Sequence, residues 1–343
     1  MELTEFKNRI KSGNSCGWYI FAGEEDYLKK YYLSLLREQI ITDDAFAFFN
    51  HTVFEGDDID FASVKEAIKS PPMMSEYKLI EWRFADIDSL KESEKGALEE
   101  LFSVKEDYPN VCFAILATSA GFDTGTPKRP SKTAARLGSG FDIITLNKST
   151  EPQLLAWLKR HFEAEGIYAP MQALNALIFR SGRSMDTLNN EVIKLCCYAK
   201  SQGKSEISVH NVEEISASSP ESDAFALSNA VIEKNISKAF LAMSDLKMRR
   251  VEPNAIIAML SRTYSELVSV SLLLDEGLGA QDIESTLKFH PFKAKLYIGA
   301  AKKSGTKKLA ASLDEIRRID AASKSGGLTG YGVIEMFITQ NIQ

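Results

Sequence analysis

The chain has 343 residues and a mass of 38.1 kDa; 44% of its residues are hydrophobic, 26% are charged, and the formal net charge is −6. That length exceeds one ordinary core and predicts two or three domains, and the composition excludes long disordered stretches. The acidic total excludes a protein coated with basic residues for nucleic acid. Residues 17–22 read as a buried strand, Gly23-Glu24-Glu25-Asp26 as a turn, and residues 27–41 as a helix with apolar Leu28, Tyr31, Tyr32, Leu35 and Leu36. Strand, turn and helix make the frame of a phosphate-binding loop. Phosphate capture needs G-x-x-x-x-G-K-[ST], in which backbone N–H groups line the anion, a lysine neutralises it and a hydroxyl holds magnesium. Here the turn offers Glu24, Glu25 and Asp26, and Lys29-Lys30 lie a turn inside the helix. Carboxylates at that place repel a triphosphate.

Further strands are expected at 45–54, 77–84, 111–118 and 141–146, with helices at 61–69, 89–102 and 131–137. Such alternation predicts a parallel sheet covered by helices on both faces. From residue 150 onward strand patterns vanish. Helices at 151–166, 170–182 and 184–203 each start at a polar cap or proline and end at glycine, and a short helix follows 205–210. Ser216-Ala217-Ser218-Ser219-Pro220 reads as a linker, after which six or seven helices are expected, with residues 255–260 and 267–274 giving the most apolar one. The predicted division is an α/β domain at 1–146, a small helical domain at 147–216 and a helical bundle at 217–343. No basic leader and no run of bilayer-spanning length is seen, so a cytoplasmic location is expected.

Little in the chain suggests reaction chemistry. Cys16, Cys112, Cys196 and Cys197 contain no C-x-x-C, and His51, His161, His210 and His290 have neither metal nor general-base spacing. The expectation is no catalytic residue, no metal and no cofactor. His290, before Pro291, reads as a helix cap, and Glu191 with Lys194 as an ordinary helix-surface pair. The acidic pairs Glu24-Glu25 and Asp57-Asp58 read as exposed turns. Charge is uneven: residues 286–325 hold ten basic residues and three acids, a local +7 that leaves −13 for the rest. Lys302, Lys303, Lys307 and Lys308 flank a turn at Gly305. They face DNA phosphates or solvate helix surfaces, and both readings stand. A second cluster, Lys128-Arg129 with Lys132 and Arg136, reads as solvent-facing loop.

Four groups of residues carry a family resemblance: residues 17–28; Ser70-Pro71-Pro72-Met73-Met74 followed by Lys78-Leu79-Ile80; Ser181-Gly182-Arg183-Ser184-Met185 with residues 188–195; and His290-Pro291-Phe292 with Asp320 and Lys324-Ser325-Gly326. In this order and spacing, which cover essentially the whole chain, they resemble the delta subunits of bacterial DNA polymerase III. The resemblance implies a AAA+-like domain without ATPase function, a helical lid and a helical collar. The sequence agrees: the phosphate-loop residues are missing, and the strands at 77–84 and 111–118 are read as ending without paired magnesium-binding acids. Neither the Ser-Arg-Cys finger nor the zinc module of the related loader subunits is present, which favours delta among them.

The resemblance further implies that an apolar pair before a central strand, here Met73 and Met74 behind Pro71 and Pro72, enters a pocket on the beta sliding clamp. Leucine or phenylalanine is commoner there; methionine, unbranched and adaptable, suits an irregular pocket. Read from pattern alone, the two methionines also suit a plug between helix and sheet. Other implied partners are the tau/gamma motor subunits, delta-prime and primer-template DNA, with Lys324 in a collar motif, no small-molecule substrate and no membrane. The implied setting is the bacterial cytoplasm, at the nucleoid when in the replisome. Rival readings are a AAA+ ATPase with an unorthodox phosphate loop and a DNA-binding adaptor outside replication.

Overall fold

Apolar runs without alternation need cover on both faces, and the first half of the chain supplies it. In the computed structural model the described residues are 1–126, 128–325 and 330–342, the side chain of Asp44 excepted; the motif residue Gly326 lies outside them. The chain divides into two compact units, Met1–Thr150 and Glu151–Gln343.

The first unit runs α1 (Leu3–Ser12), β1 (Trp18–Ala22), α2 (Asp26–Ile40), the one-turn α3 (Ala47–Asn50), β2 (His51–Glu55), α4 (Phe61–Lys69), β3 (Lys78–Ala85), α5 (Glu92–Glu100), α6 (Phe102–Lys105) and β4 (Val111–Ala117). A hairpin of β5 (Gly125–Thr126) and β6 (Arg129–Pro130), then α7 (Lys132–Leu137) and β7 (Asp142–Thr145), complete it. Five strands form one all-parallel sheet in the order β2-β3-β4-β1-β7. Successive side chains point to opposite faces. Trp18, Ile20, Ile80, Trp82, Phe113 and Ile115 pack on α4, α5 and α7, while Tyr19, Phe21, Leu79, Cys112 and Ala114 pack on α1 and α2.

The hairpin β5–β6 is not among the expected elements, the helix expected at 89–102 is split into α5 and α6, and two further elements differ. Helix α1 is additional to the expected elements; Phe6 and Ile10, one turn apart, bury its inner face, and Gly13 at φ 74° ends it. Phe6 sits edge-on to Tyr19, Phe21 and Tyr32. The strand expected at 45–54 is half helix, because the aromatic run 46–49 makes turns before the sheet is reached.

Among the apolar strands, β3 buries a carboxylate. Glu81 accepts hydrogen bonds from Arg37 Nε (2.9 Å) and Arg83 Nε (2.7 Å), and its Oε1 lies 2.8 Å from His51 Nε2. Burial alone pushes its pKa up, but the hydrogen bonds from His51, Arg37 and Arg83 outweigh it and hold the carboxyl at about 2.

The second unit is helical: α8 (Glu151–Ala164), α9 (Met171–Ser181), α10 (Met185–Ser201), α11 (Val209–Ile215), α12 (Pro220–Ile232), α13 (Ile236–Met248), α14 (Pro253–Asp275), α15 (Ala280–Leu287), α16 (Pro291–Ser304), α17 (Thr306–Lys324) and α18 (Tyr331–Ile342). Its core is centred on α14, where Ile256, Leu260, Tyr264, Leu267 and Val270 are buried. By length and composition α14 is apolar enough to cross a bilayer, so the expectation that no run approaches that length does not hold. Its apolarity has a packing cause, since α12, α16, α17 and α18 all lie against it.

The expected linker at 216–220 is strapped down. Ser181 Oγ donates to Ala217 O (2.8 Å), Arg180 Nε to Ser216 O (2.8 Å), and Glu191 Oε2 accepts from Ala217 N (3.2 Å). Glu191 is thus a buried tether for this segment as well as the partner of Lys194. Phe179 of α9 lies edge-on to Phe225 of α12. These ties hold helices on both sides of residue 216 in one unit.

A stability test follows from Glu81. Its folded pKa is depressed, so its contribution is present above the unfolded carboxylate pKa of about 4.3 and disappears as pH falls toward 2. In denaturant titrations, Glu81→Gln should lie furthest below the unmodified protein at neutral pH, and the gap should close below pH ~4. A gap independent of pH contradicts the assignment.

Candidate functional site

The turn after β1 is closed by the chain's own groups. Gly23 has φ 97°, and a Cβ there would stand 2.4 Å from Leu146 O, so glycine is required. Glu25 N donates to Leu146 O (2.9 Å), leaving that N–H unavailable to an anion. Lys29 is buried: its Nζ donates to Gly23 O (2.9 Å) and Ala117 O (2.7 Å) and pairs with Asp26 (2.7 Å). Asp26 also accepts from Ser119 Oγ (3.1 Å). An ammonium, a carboxylate and two carbonyls thus meet between the ends of β1 and β4.

Three expectations are corrected here. Glu25 is buried rather than exposed, while Glu24 and Asp26 are exposed. Lys29 is part of the turn, not merely a residue further along the helix. The spacing carries its signal: it stands six residues after Gly23, the G-x-x-x-x-G-K interval, with Leu28 in place of the second glycine and Lys30 in place of the hydroxyl. Acids also follow β3 after all, as Asp86 and Asp88. They bind backbone instead: Asp86 Oδ1 accepts from Ser89 N (3.1 Å) and Asp88 Oδ2 from Asp123 N (2.6 Å).

The Pro71 to Met74 segment lies at the other end of the sheet. All five strands run the same way, so a turn after β1 and a loop before β3 lie at opposite ends of the strands. Pro71 is exposed and Pro72 half-buried; Met73 is 47% and Met74 78% exposed. The two methionines therefore do not plug the gap between helix and sheet, where Val64 and Ile68 of α4 are buried instead.

Two buried polar residues hold the segment's base. Asn50 Nδ2 donates to Met73 O (2.8 Å) and Asn50 Oδ1 accepts from Met73 N (2.7 Å), so one amide grips both sides of Met73. Lys78 Nζ donates to Ser70 O (3.0 Å), Ser70 Oγ (2.7 Å) and Ala67 O, satisfying carbonyls at the end of α4. Burial depresses the Lys78 pKa. Met74 has φ 52°, a left-handed conformation that costs a side-chain-bearing residue about 1 kcal/mol or more. Neither anchor is marked in the sequence, because Asn50 and Lys78 look like ordinary polar residues until the fold buries them.

The basic candidates fall into two places. Lys302 and Lys303 end α16, Gly305 turns at φ 78°, and Lys307 and Lys308 open α17. All four are exposed, and Lys303 pairs with Glu233. Lys324 ends α17, roughly 24 Å from Lys308 at 1.5 Å per residue, and pairs with Asp320 (2.6 Å), so it does not join the cluster. Of the cluster expected in a loop, Arg129 lies on β6 and Lys132 and Arg136 on α7 instead, and Arg136 pairs with Glu92 (2.8 Å) and Glu99 (2.7 Å). His290 caps α16 by accepting from Phe292 N (3.2 Å). Among the described residues no group of three or more His, Cys, Asp or Glu is placed to hold a metal.

A parallel sheet in this order, carrying a phosphate-loop frame at β1 and α2 and continuing into a helical unit, defines a AAA+-like chain. Two family models match it: "DNA polymerase III, delta subunit" at residues 19–121 and "DNA polymerase III delta subunit, C-terminal domain" at residues 221–341. DNA polymerase III subunit delta of Bacillus subtilis (strain 168) is 23% identical over 337 residues, covering 96% of this chain and 94% of that protein. The solved structure of the Bacillus subtilis DNA clamp loader delta protein matches with a TM-score of 0.55 at 20% identity, over 99% of both chains. The chain belongs to the DNA polymerase III delta subunit family.

Asn50→Ala should leave Met73 N–H and C=O unpaired and cost about 1–3 kcal/mol in urea unfolding. It should also speed hydrogen exchange at Met73 and Met74. Unchanged exchange there would refute the anchoring role.

Proposed function

We propose that this chain is the clamp-loader subunit that binds the beta sliding clamp and opens it for loading onto primed DNA, without itself hydrolysing ATP. The observation that carries the reading is the exposed Met73 and Met74 pair on a segment fastened by Asn50 and Lys78. Burying each methionine in a ring pocket contributes roughly 1.5–3 kcal/mol, and a segment already held in shape loses little entropy on docking. Grip on a ring interface changes its open and closed populations only through differential affinity, so the cycle is driven by ATP hydrolysis in the tau/gamma motor subunits. Delta-prime and those subunits would be met through the collar at 217–343, with 147–216 as the lid. The assembly works in the bacterial cytoplasm, at the nucleoid during replication.

The filled turn supports the second clause of the reading. The Lys29 ammonium is already bound to two carbonyls and Asp26, and Asp86 and Asp88 are bound to backbone. Among the described residues these are the groups a triphosphate and its magnesium would need, and each is engaged within the chain. Lys302, Lys303, Lys307 and Lys308 would meet DNA phosphates in the assembled loader. Their grouping at one turn favours this over Lys324.

In a titration against the cognate clamp, Met73→Ala/Met74→Ala should abolish binding and leave the thermal unfolding midpoint unchanged; full affinity in this variant would end the assignment. The isolated chain should show no saturable ATP binding by calorimetry, and a measurable affinity would favour the rival ATPase. Replacing the four grouped lysines by glutamine should flatten the salt dependence of DNA binding by the assembled loader, by about one unit of slope for each phosphate no longer neutralised. Tight DNA binding by the isolated chain would instead favour an adaptor outside replication.

A further inference from the structure

We infer that Phe48 and Phe49 form the second half of the surface that grips the ring, beside Met73 and Met74; the inference rests on the clamp-binding reading above. Phe48 is 88% and Phe49 51% exposed, and their rings meet edge-to-face with centroids 5.4 Å apart. They stand on the one-turn α3, directly before the edge strand β2.

Two independent features bring them to the methionines. The first is topology: β2 and β3 are adjacent and parallel, with His51 opposite Leu79, so α3 and the Met73 segment enter the sheet at the same end on neighbouring strands. The second is Asn50, the residue after Phe49, which is buried and bonds both the N–H and the C=O of Met73. One side chain therefore fastens the phenylalanine pair to the methionine pair as a single body.

Single exposed apolar residues are ordinary, but four large ones on two tethered segments make a patch. Aromatic and methionine side chains are enriched at interface cores, and aromatic anchors dominate their energetics. The occupant is the ring and not a second copy of this chain, because Asn50 ties the phenylalanine segment to the methionine pair assigned to the ring.

The test is a titration of the full-length chain against its cognate clamp, with the unmodified protein, Phe48→Ala/Phe49→Ala, Phe48→Leu/Phe49→Leu and Met73→Ala/Met74→Ala. The alanine pair at 48 and 49 should weaken binding about tenfold or more, the effect of truncating one hot-spot anchor, and the leucine pair should recover part of it. Its thermal midpoint should stay put. If the phenylalanine variant binds like the unmodified protein while the methionine variant fails, the inference falls and the clamp-binding reading stands. If both bind like the unmodified protein, that reading falls and takes the inference with it. If sedimentation shows that the phenylalanines hold a dimer while clamp affinity ignores them, they are a self-contact and the inference is overturned.

Discussion

The buried Lys29 ammonium is the contact around which the first unit is arranged. Phe21 of β1 stands opposite Leu116 of β4, so the carbonyls of Gly23 and Ala117, at the ends of the two strands, are near enough for one cation to take both. Removing an ammonium from water costs several kcal/mol unless its donors are met, and here Asp26 and the two carbonyls meet them. Leu146, just past β7, closes the turn from the other side by accepting from Glu25 N. Three strand ends are thereby fastened at this turn.

At the opposite end of the strands, buried polar groups serve a different purpose. Asn50, Lys78 and Glu81 lie at or near the starts of β2 and β3, and each is hydrogen-bonded to groups on another segment. Satisfied polar networks in a low-dielectric interior hold a unique geometry more strongly than apolar packing alone. Asn50 and Lys78 hold a segment with strained backbone at Met74 and two exposed thioethers, while Glu81 ties β3 to Arg37 and His51. Strain of this kind persists only where the surroundings over-determine it.

The architecture is legible in the sequence because it rests on pattern. Unbroken apolar runs at β1 and β4 mark central parallel strands, and Phe61–Lys69 is bounded by Asp60 as its cap and by the prolines beyond it. The prolines mark the methionine segment, but pattern alone also suits a buried plug, and only the fold shows the pair to be exposed. What stays hidden depends on contacts between distant residues: Lys29 with Ala117, Asn50 with Met73, Glu81 with Arg37 and His51. No periodicity records such pairs. Helix α1, by contrast, is legible in pattern, since Leu3, Phe6 and Ile10 recur at helical spacing. The α3 aromatics read as strand because phenylalanine favours strands whenever its burial is unknown.

The two ends of the parallel strands constrain what a mechanism for this chain can be. On the proposed reading, the phosphate turn is filled and its neighbouring acids are bound to backbone, so nucleotide has no grip on the first unit. The methionine segment is fixed by hydrogen bonds within the same unit. Nothing within the first unit then switches the hold on the ring, so its differential affinity for the open and closed ring stays the same through the cycle. Release must therefore come from outside the segment, by carrying the whole first unit away from the ring or by covering the apolar patch. Either route leaves the chain a passive lever, and the ties of Asn50 and Lys78 to the methionine segment are what make that lever stiff.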